Sequence, residues 1–247
     1  MIKTEEILIK GGKNKNSICD IFCYEPENIE EVSLGNLYMV AEFDANGDTN
    51  HLINLISSLI KREYYSASHR GPLDSLEASL KKANLALNEL GNQGNLQWLG
   101  KLHFICAVIS KEQQLLLSQS GNAQAYHWRE GNLTNITKKI VATAAKFHPT
   151  KTFQSVISGN IEPTDKIVLT TPKLFDFIDT KGFEQLFDLT KIELISDQIN
   201  KTLREQKKPP HLSALLLEIV PEQNFVTNQE SKAAFITPPI KLEEIFQ

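Results

Sequence analysis

Cysteine is scarce in this chain. Its 247 residues include three, Cys19, Cys23 and Cys106. Three cysteines make no disulfide framework, and no second Cys or His pair stands at zinc spacing. Cys106 lies in the apolar run Phe104–Ile109. It reads as a small packed hydrophobe, and the same reading is taken for the other two. A reducing, cytoplasmic setting is expected.

Long apolar runs are also missing. No stretch of about 18 apolar residues occurs, so no transmembrane helix is expected. The start, Met1-Ile2-Lys3-Thr4-Glu5-Glu6, lacks the apolar core of a signal peptide. Basic charge is not in excess either. Lys and Arg total 26 against 30 Asp and Glu, a net charge of -4. That balance argues against nucleic acid or an anionic membrane as partner. The chain has no Walker loop, no Rossmann glycine fingerprint and no nucleophile elbow. His103 and His127 have no Ser, Asp or Cys partner in a recognisable motif and read as satisfied or surface histidines.

What is present suits a globular protein: 41% apolar and 23% charged residues, in a chain long enough for one large core or two small ones. Thr4–Ile9 and Ile18–Tyr24 read as strands with a Gly/Lys/Asn turn between them. Glu25–Ser33 reads as a loop, and Leu37–Phe43 as a strand covered on both faces. Leu52, Ile53, Leu55, Ile56, Leu59 and Ile60 then give a helical face, with Asp48, Thr49 or Asn50 as its cap. Pro72 opens a second helix whose stripe runs from Leu73 to Leu90. Strands are predicted over His103–Ser110, Gln114–Ser120 and Ala123–Arg129. A hairpin signal, Glu130-Gly131-Asn132, leads into Leu133–Ile136.

Residues 138–152 read as a loop and Phe153–Ser158 as a strand. Lys166–Thr171 and Leu212–Val220 are further strands. Between them, Leu174–Ile178, Phe183–Leu189 and Glu193–Glu205 read as helical pieces. Strands and helices are segregated, which predicts an α+β fold of antiparallel sheets with helices on their outer faces. Residues 1–220 are expected to form one domain, and 221–247, polar with Pro238-Pro239, a flexible tail or linker.

One stretch raises a chemical question. Val40-Ala41-Glu42-Phe43-Asp44-Ala45-Asn46-Gly47-Asp48-Thr49 places three carboxylates at the mouth of a strand. Turn formation and capping explain Asp44 and Asp48. A calcium loop is not expected, because position twelve from Asp44 is Leu55 rather than Glu.

Four segments, in order, resemble the PPM-type (type 2C, metal-dependent) serine/threonine protein phosphatases. They are Leu37–Phe43 before a long helix; Leu117–Tyr126, containing Gly121-Asn122-Ala123, with Glu130-Gly131-Asn132-Leu133 after it; Ile161–Asp176; and Pro210–Leu217. The resemblance runs from about residue 3 to residue 220. It implies a four-layer α-β-β-α sandwich of two antiparallel sheets flanked by helices. It also implies a site at one end of the sandwich where carboxylates bridge two Mg²⁺ or Mn²⁺ ions that activate water against a phosphate.

The matched positions depart from that pattern. Glu42 stands for the first-strand aspartate, and Phe43 for the glycine after it, where a phenyl ring is expected to crowd the approach. Pro172 and Lys173 stand for the late aspartate–glycine. Pro210 and His211 stand for the final aspartate–asparagine. The family's phosphate-binding arginine has no clear match, although Lys13 or Lys15 lies nearby.

The expectation is therefore a pseudophosphatase with a binding or regulatory role and a protein or phosphoprotein partner. Glu42 is then a vestigial metal ligand, and no cofactor is expected. The alternatives are an active divergent phosphatase, which needs Mg or Mn, and a structural interaction domain of a longer chain.

Overall fold

A computed structural model of the chain describes residues 1–11, 17–44, 51–67, 69–138, 148–207 and 210–221. Among the described residues, ten strands form two antiparallel five-stranded sheets. One sheet holds β1 (Ile2–Lys10), β10 (His211–Ile219), β9 (Lys166–Thr170), β6 (Gln124–Arg129) and β7 (Asn132–Asn135), in that spatial order. The other holds β2 (Ser17–Tyr24), β3 (Asn36–Asp44), β4 (Leu102–Ile109), β5 (Gln114–Ser120) and β8 (Ile157–Asn160).

Helices α1 (Leu52–Tyr64) and α2 (Pro72–Asn92) cover the β3 sheet, and α3 (Thr180–Leu186) and α4 (Ile192–Arg204) cover the β10 sheet. The described residues build one apolar core under α1 and α2, one between the sheets, and one under α3 and α4. This is the expected α+β, four-layer sandwich.

Alternation with period two builds the layers. Along β3, Leu37, Met39, Ala41 and Phe43 face α1 and α2, while Tyr38 and Val40 face the other sheet. In β4, Phe104, Cys106 and Val108 take the helix side, and Ile105, Ala107 and Ile109 the inter-sheet side. Both strands read as continuous apolar runs because both of their faces are covered.

Four local expectations differ from the structure. Part of the Glu25–Ser33 loop is a 3-10 helix, Ile29–Leu34. Asn28 accepts from the Glu31 N–H at 3.2 Å, and the Glu31 carboxylate returns to the Glu27 N–H at 2.9 Å, a reciprocal cap. The strand expected at Phe153–Ser158 forms only at Ile157–Asn160. Asn84 of α2 takes the Phe153 backbone instead, donating to its carbonyl at 2.9 Å and accepting from its N–H at 3.0 Å.

The piece at Leu174–Ile178 is a 3-10 turn, Pro172–Asp176, and the next helix begins earlier than expected because Asp179 caps the Gly182 N–H at 2.6 Å. Cys19 and Cys106 are buried as expected, but Cys23 is exposed, its thiol 3.5 Å from a Glu6 carboxylate oxygen. The cap expected at 48–50, most of the 138–152 loop and the 222–247 tail lie outside the described residues.

Candidate functional site

Strand parity decides where the β3 carboxylate goes. Glu42 shares the parity of Tyr38 and Val40, so it enters the space between the sheets, and it is 0% exposed. Phe43 has the opposite parity. Its ring is packed in the core under α1 and α2, on the other face of the sheet, and does not crowd the Glu42 carboxylate as expected.

The end of the sandwich where β3 finishes gathers every matched segment. Glu42 stands across from Cys19 of β2 and from His103 of β4. Ser213 of β10 donates its hydroxyl to the Ala41 carbonyl at 2.9 Å and accepts the Thr171 N–H on its own carbonyl at 3.0 Å. Pro210 contributes its carbonyl to the Gly11 N–H at 3.0 Å.

Gly121 closes the group. It has φ +66°, and a Cβ there would stand 2.4 Å from the Leu102 carbonyl oxygen and 2.5 Å from His103 Nδ1. Only glycine fits so close a backbone approach. His103 Nδ1 accepts the Asn122 N–H at 3.0 Å, a tie that positions the turn. Glu42, Gly121, Pro172 and Pro210 thus lie at one end of the sandwich.

Lys173 meets Glu42 at this end. Its Nζ stands 2.5 Å from Glu42 Oε1 and donates to Ser17 Oγ at 2.9 Å. The Lys173 side chain is 27% exposed and that of Glu42 0%. The ammonium therefore belongs to the more exposed side chain of the pair and the carboxylate to the buried one. Pro172 opens the 3-10 turn that carries Lys173, and its fixed φ suits that first position. Burial, and next the neighbouring Glu42 charge, push the Cys19 thiol up to about 12. A thiol held so high is no nucleophile near neutral pH.

These residues do not fit a pair of divalent ions. Two close dications need several hard oxygen donors. Here one carboxylate is engaged by an ammonium, and the prolines at 172 and 210 supply no side-chain oxygen. Among the described residues, no group of three or more His, Cys, Asp or Glu side chains is placed to hold a metal ion. The Asp44 side chain, Asp48, Lys13 and Lys15 lie outside the described set. Asp20 accepts from the Ile21 N–H at 3.1 Å and stands across from Ala41, not Glu42.

A second polar cluster lies at the opposite end. Asp165, 1% exposed, receives Arg129 Nε at 2.9 Å, Arg129 Nη2 at 2.6 Å and the Glu162 N–H at 2.8 Å. His127 Nε2 stands 2.9 Å from Asp165 Oδ2, so this histidine has the carboxylate partner that its sequence surroundings did not show. Burial works to raise the Asp165 pKa, but Arg129, the Glu162 N–H and His127 together hold it below the ordinary carboxylate value. The cluster ties β6 to the turn before β9.

Sequence reasoning reached Glu42, Lys173, Pro172 and Pro210. It missed Ser17, for which no signal exists, and the Arg129–Asp165 pair, whose members are 36 positions apart.

Comparison with solved structures bears on the class. The catalytic domain of the serine/threonine protein phosphatase PstP, in complex with two manganese ions, superposes with a TM-score of 0.60 at 14% identity, over 89% of this chain and 99% of that one. PppA of Pseudomonas aeruginosa, described as a key regulatory component of its T6SS, gives 0.60 at 14% identity, over 88% and 97%. The PPM Ser-Thr phosphatase MsPP of Mycobacterium smegmatis gives 0.57 at 14% identity, over 90% and 98%. No protein-family model matches the chain, and no curated protein matches it in sequence. The chain has the PPM phosphatase fold, and at these identities the likeness is one of fold. No helix among the described residues is long and apolar enough to cross a membrane.

Proposed function

We propose that this chain is a pseudophosphatase, a PPM-fold domain that acts by binding a protein or phosphoprotein partner rather than by metal-dependent hydrolysis. The observation that carries the reading is the pair Pro172 and Pro210 at the end of the sandwich where Glu42 lies. Two-metal hydrolysis needs carboxylates from separate segments to neutralise the dications and lower the pKa of a bridging water. Proline can do neither. The role left to such a fold is recognition, in regulation of a partner. The domain is taken as residues 1–220, with 221–247 as tail or linker. The unpaired cysteines suit a reducing cytoplasm.

The test is direct. The purified chain is incubated with Mn²⁺ and p-nitrophenyl phosphate, then with phosphoserine and phosphothreonine peptides. No turnover above buffer is expected. Turnover that Glu42→Ala abolishes would overturn the proposal and favour an active, divergent phosphatase.

A further inference from the structure

A fully buried carboxylate needs a counter-charge, because the desolvation of an ion is not repaid without a close partner. We infer that the Lys173 ammonium is the resident cation of the Glu42 site, a tethered charge that keeps divalent ions out of it. The inference rests on the PPM-fold reading of this end of the sandwich and deepens it.

Distance and exposure argue first. Nζ is 2.5 Å from Glu42 Oε1, and a side chain 27% exposed meets one that is 0% exposed. A divalent ion approaching Oε1 must displace this ammonium or sit beside it. Like charges a few ångströms apart repel strongly where water is scarce. Placement argues next. Ser17 Oγ accepts from Nζ at 2.9 Å and fixes the ammonium from the β2 side. Upstream, the Thr171 N–H is held by the Ser213 carbonyl at 3.0 Å, and Pro172 sets the turn. The lysine is thus delivered to Glu42 by a turn whose backbone is tied to β10, while its ammonium is held by Ser17 at the start of β2.

This is more than the loss of metal ligands. Loss of ligands would by itself only weaken the affinity of the remaining carboxylate for hard cations. A tethered ammonium removes even that, because the chain itself holds the position.

The experiment titrates Mn²⁺ into the full chain, following the free-ion electron paramagnetic signal and, separately, the melting temperature. The proteins are wild type, Lys173→Asp, Lys173→Met, and each of these combined with Glu42→Gln. Lys173→Asp is expected to bind Mn²⁺ at least about tenfold more tightly than wild type and to melt higher with the ion. Adding Glu42→Gln is expected to remove both effects.

Where Lys173→Asp does not fold even with Mn²⁺, Lys173→Met keeps the side-chain length, drops the charge and is judged by the same readouts. Equal affinity in wild type and the Lys173 variants would overturn the inference. So would variant binding indifferent to Glu42→Gln. Mn²⁺-dependent turnover by wild type counts against the pseudophosphatase reading, whereas the affinity ratio alone decides the role of Lys173.

Discussion

Arg129 grips Asp165 in a fork. Its Nε donates to Oδ1 at 2.9 Å and its Nη2 to Oδ2 at 2.6 Å, while Nη1 reaches Glu162 at 3.0 Å. Parallel charge-assisted bonds of this kind fix geometry as well as charge. The fork fastens β6 to the Glu162–Asp165 turn at the end of the sandwich remote from Glu42. Arg129→Ala is expected to lower stability by about 2 kcal/mol, since a buried carboxylate loses its main donors while keeping the Glu162 N–H. Urea unfolding of the two proteins measures it, and a change below about 0.5 kcal/mol would mark the pair as idle.

Asp165 also predicts an acid limb. Its folded pKa is depressed below its ordinary value of 3.8. The stability it contributes is therefore fully present above the unfolded pKa and is lost as pH falls through the folded one. Melting temperatures recorded from neutral pH down to below about pH 4 should fall more steeply for wild type than for Asp165→Asn at the acid end. Parallel curves would refute the assignment.

The Glu42–Lys173 pair should behave as a coupled unit in folding. Lys173→Met alone is expected to cost about 2 to 3 kcal/mol, because a buried carboxylate loses a cation in direct contact with it. Glu42→Leu combined with Lys173→Met should recover most of that, since an apolar pair avoids the desolvation of both charges. A double-mutant cycle reads the coupling directly. Additive effects would show that the two side chains do not support each other.

Metal removal should be without effect on the folded wild type. An ion bound only to the native state raises the melting temperature in proportion to the logarithm of its concentration. Melting curves in chelator, in Mg²⁺ and in Mn²⁺ are expected to coincide. A rise with Mn²⁺ that Glu42→Gln removes would contradict the prediction.

Gly121→Ala should destabilise the fold by about 2 kcal/mol or more, combining a left-handed backbone with a steric clash. The added methyl would meet the Leu102 carbonyl and His103 Nδ1. Thermal unfolding measures the loss. An unchanged melting temperature would mean that the Gly121 turn relaxes freely.

Much of this was legible in the chain. The long apolar strands, the two-period alternation and the stripe from Leu73 to Leu90 are direct consequences of burial, so the layers could be read. Glu42, Pro172 and Pro210 stood out because their chemistry contradicts the segments around them. The rest depended on three-dimensional placement. Phe43 was expected beside the carboxylate because it is next in sequence, yet neighbouring residues on a strand point to opposite faces. Ser17 meets Lys173 across 156 positions, and no local pattern encodes that. The displaced edge strand at 157–160 followed from one side-chain amide on α2 outcompeting a ladder for the Phe153 backbone.

The position of β10 has a consequence for how the chain is made. It pairs with β1 along its whole length, Ile2 across from Ile219 and Lys10 across from His211, and with β9 on its other side. β1, earliest of these strands in the sequence, thus waits for β10 before it gains a neighbour in its sheet. The β3 sheet needs nothing beyond Asn160 and can close early. Assembly is ordered by topology: one half of the sandwich is available as a template while the other is still being synthesised. The slow, long-range closure waits until β10 has been made.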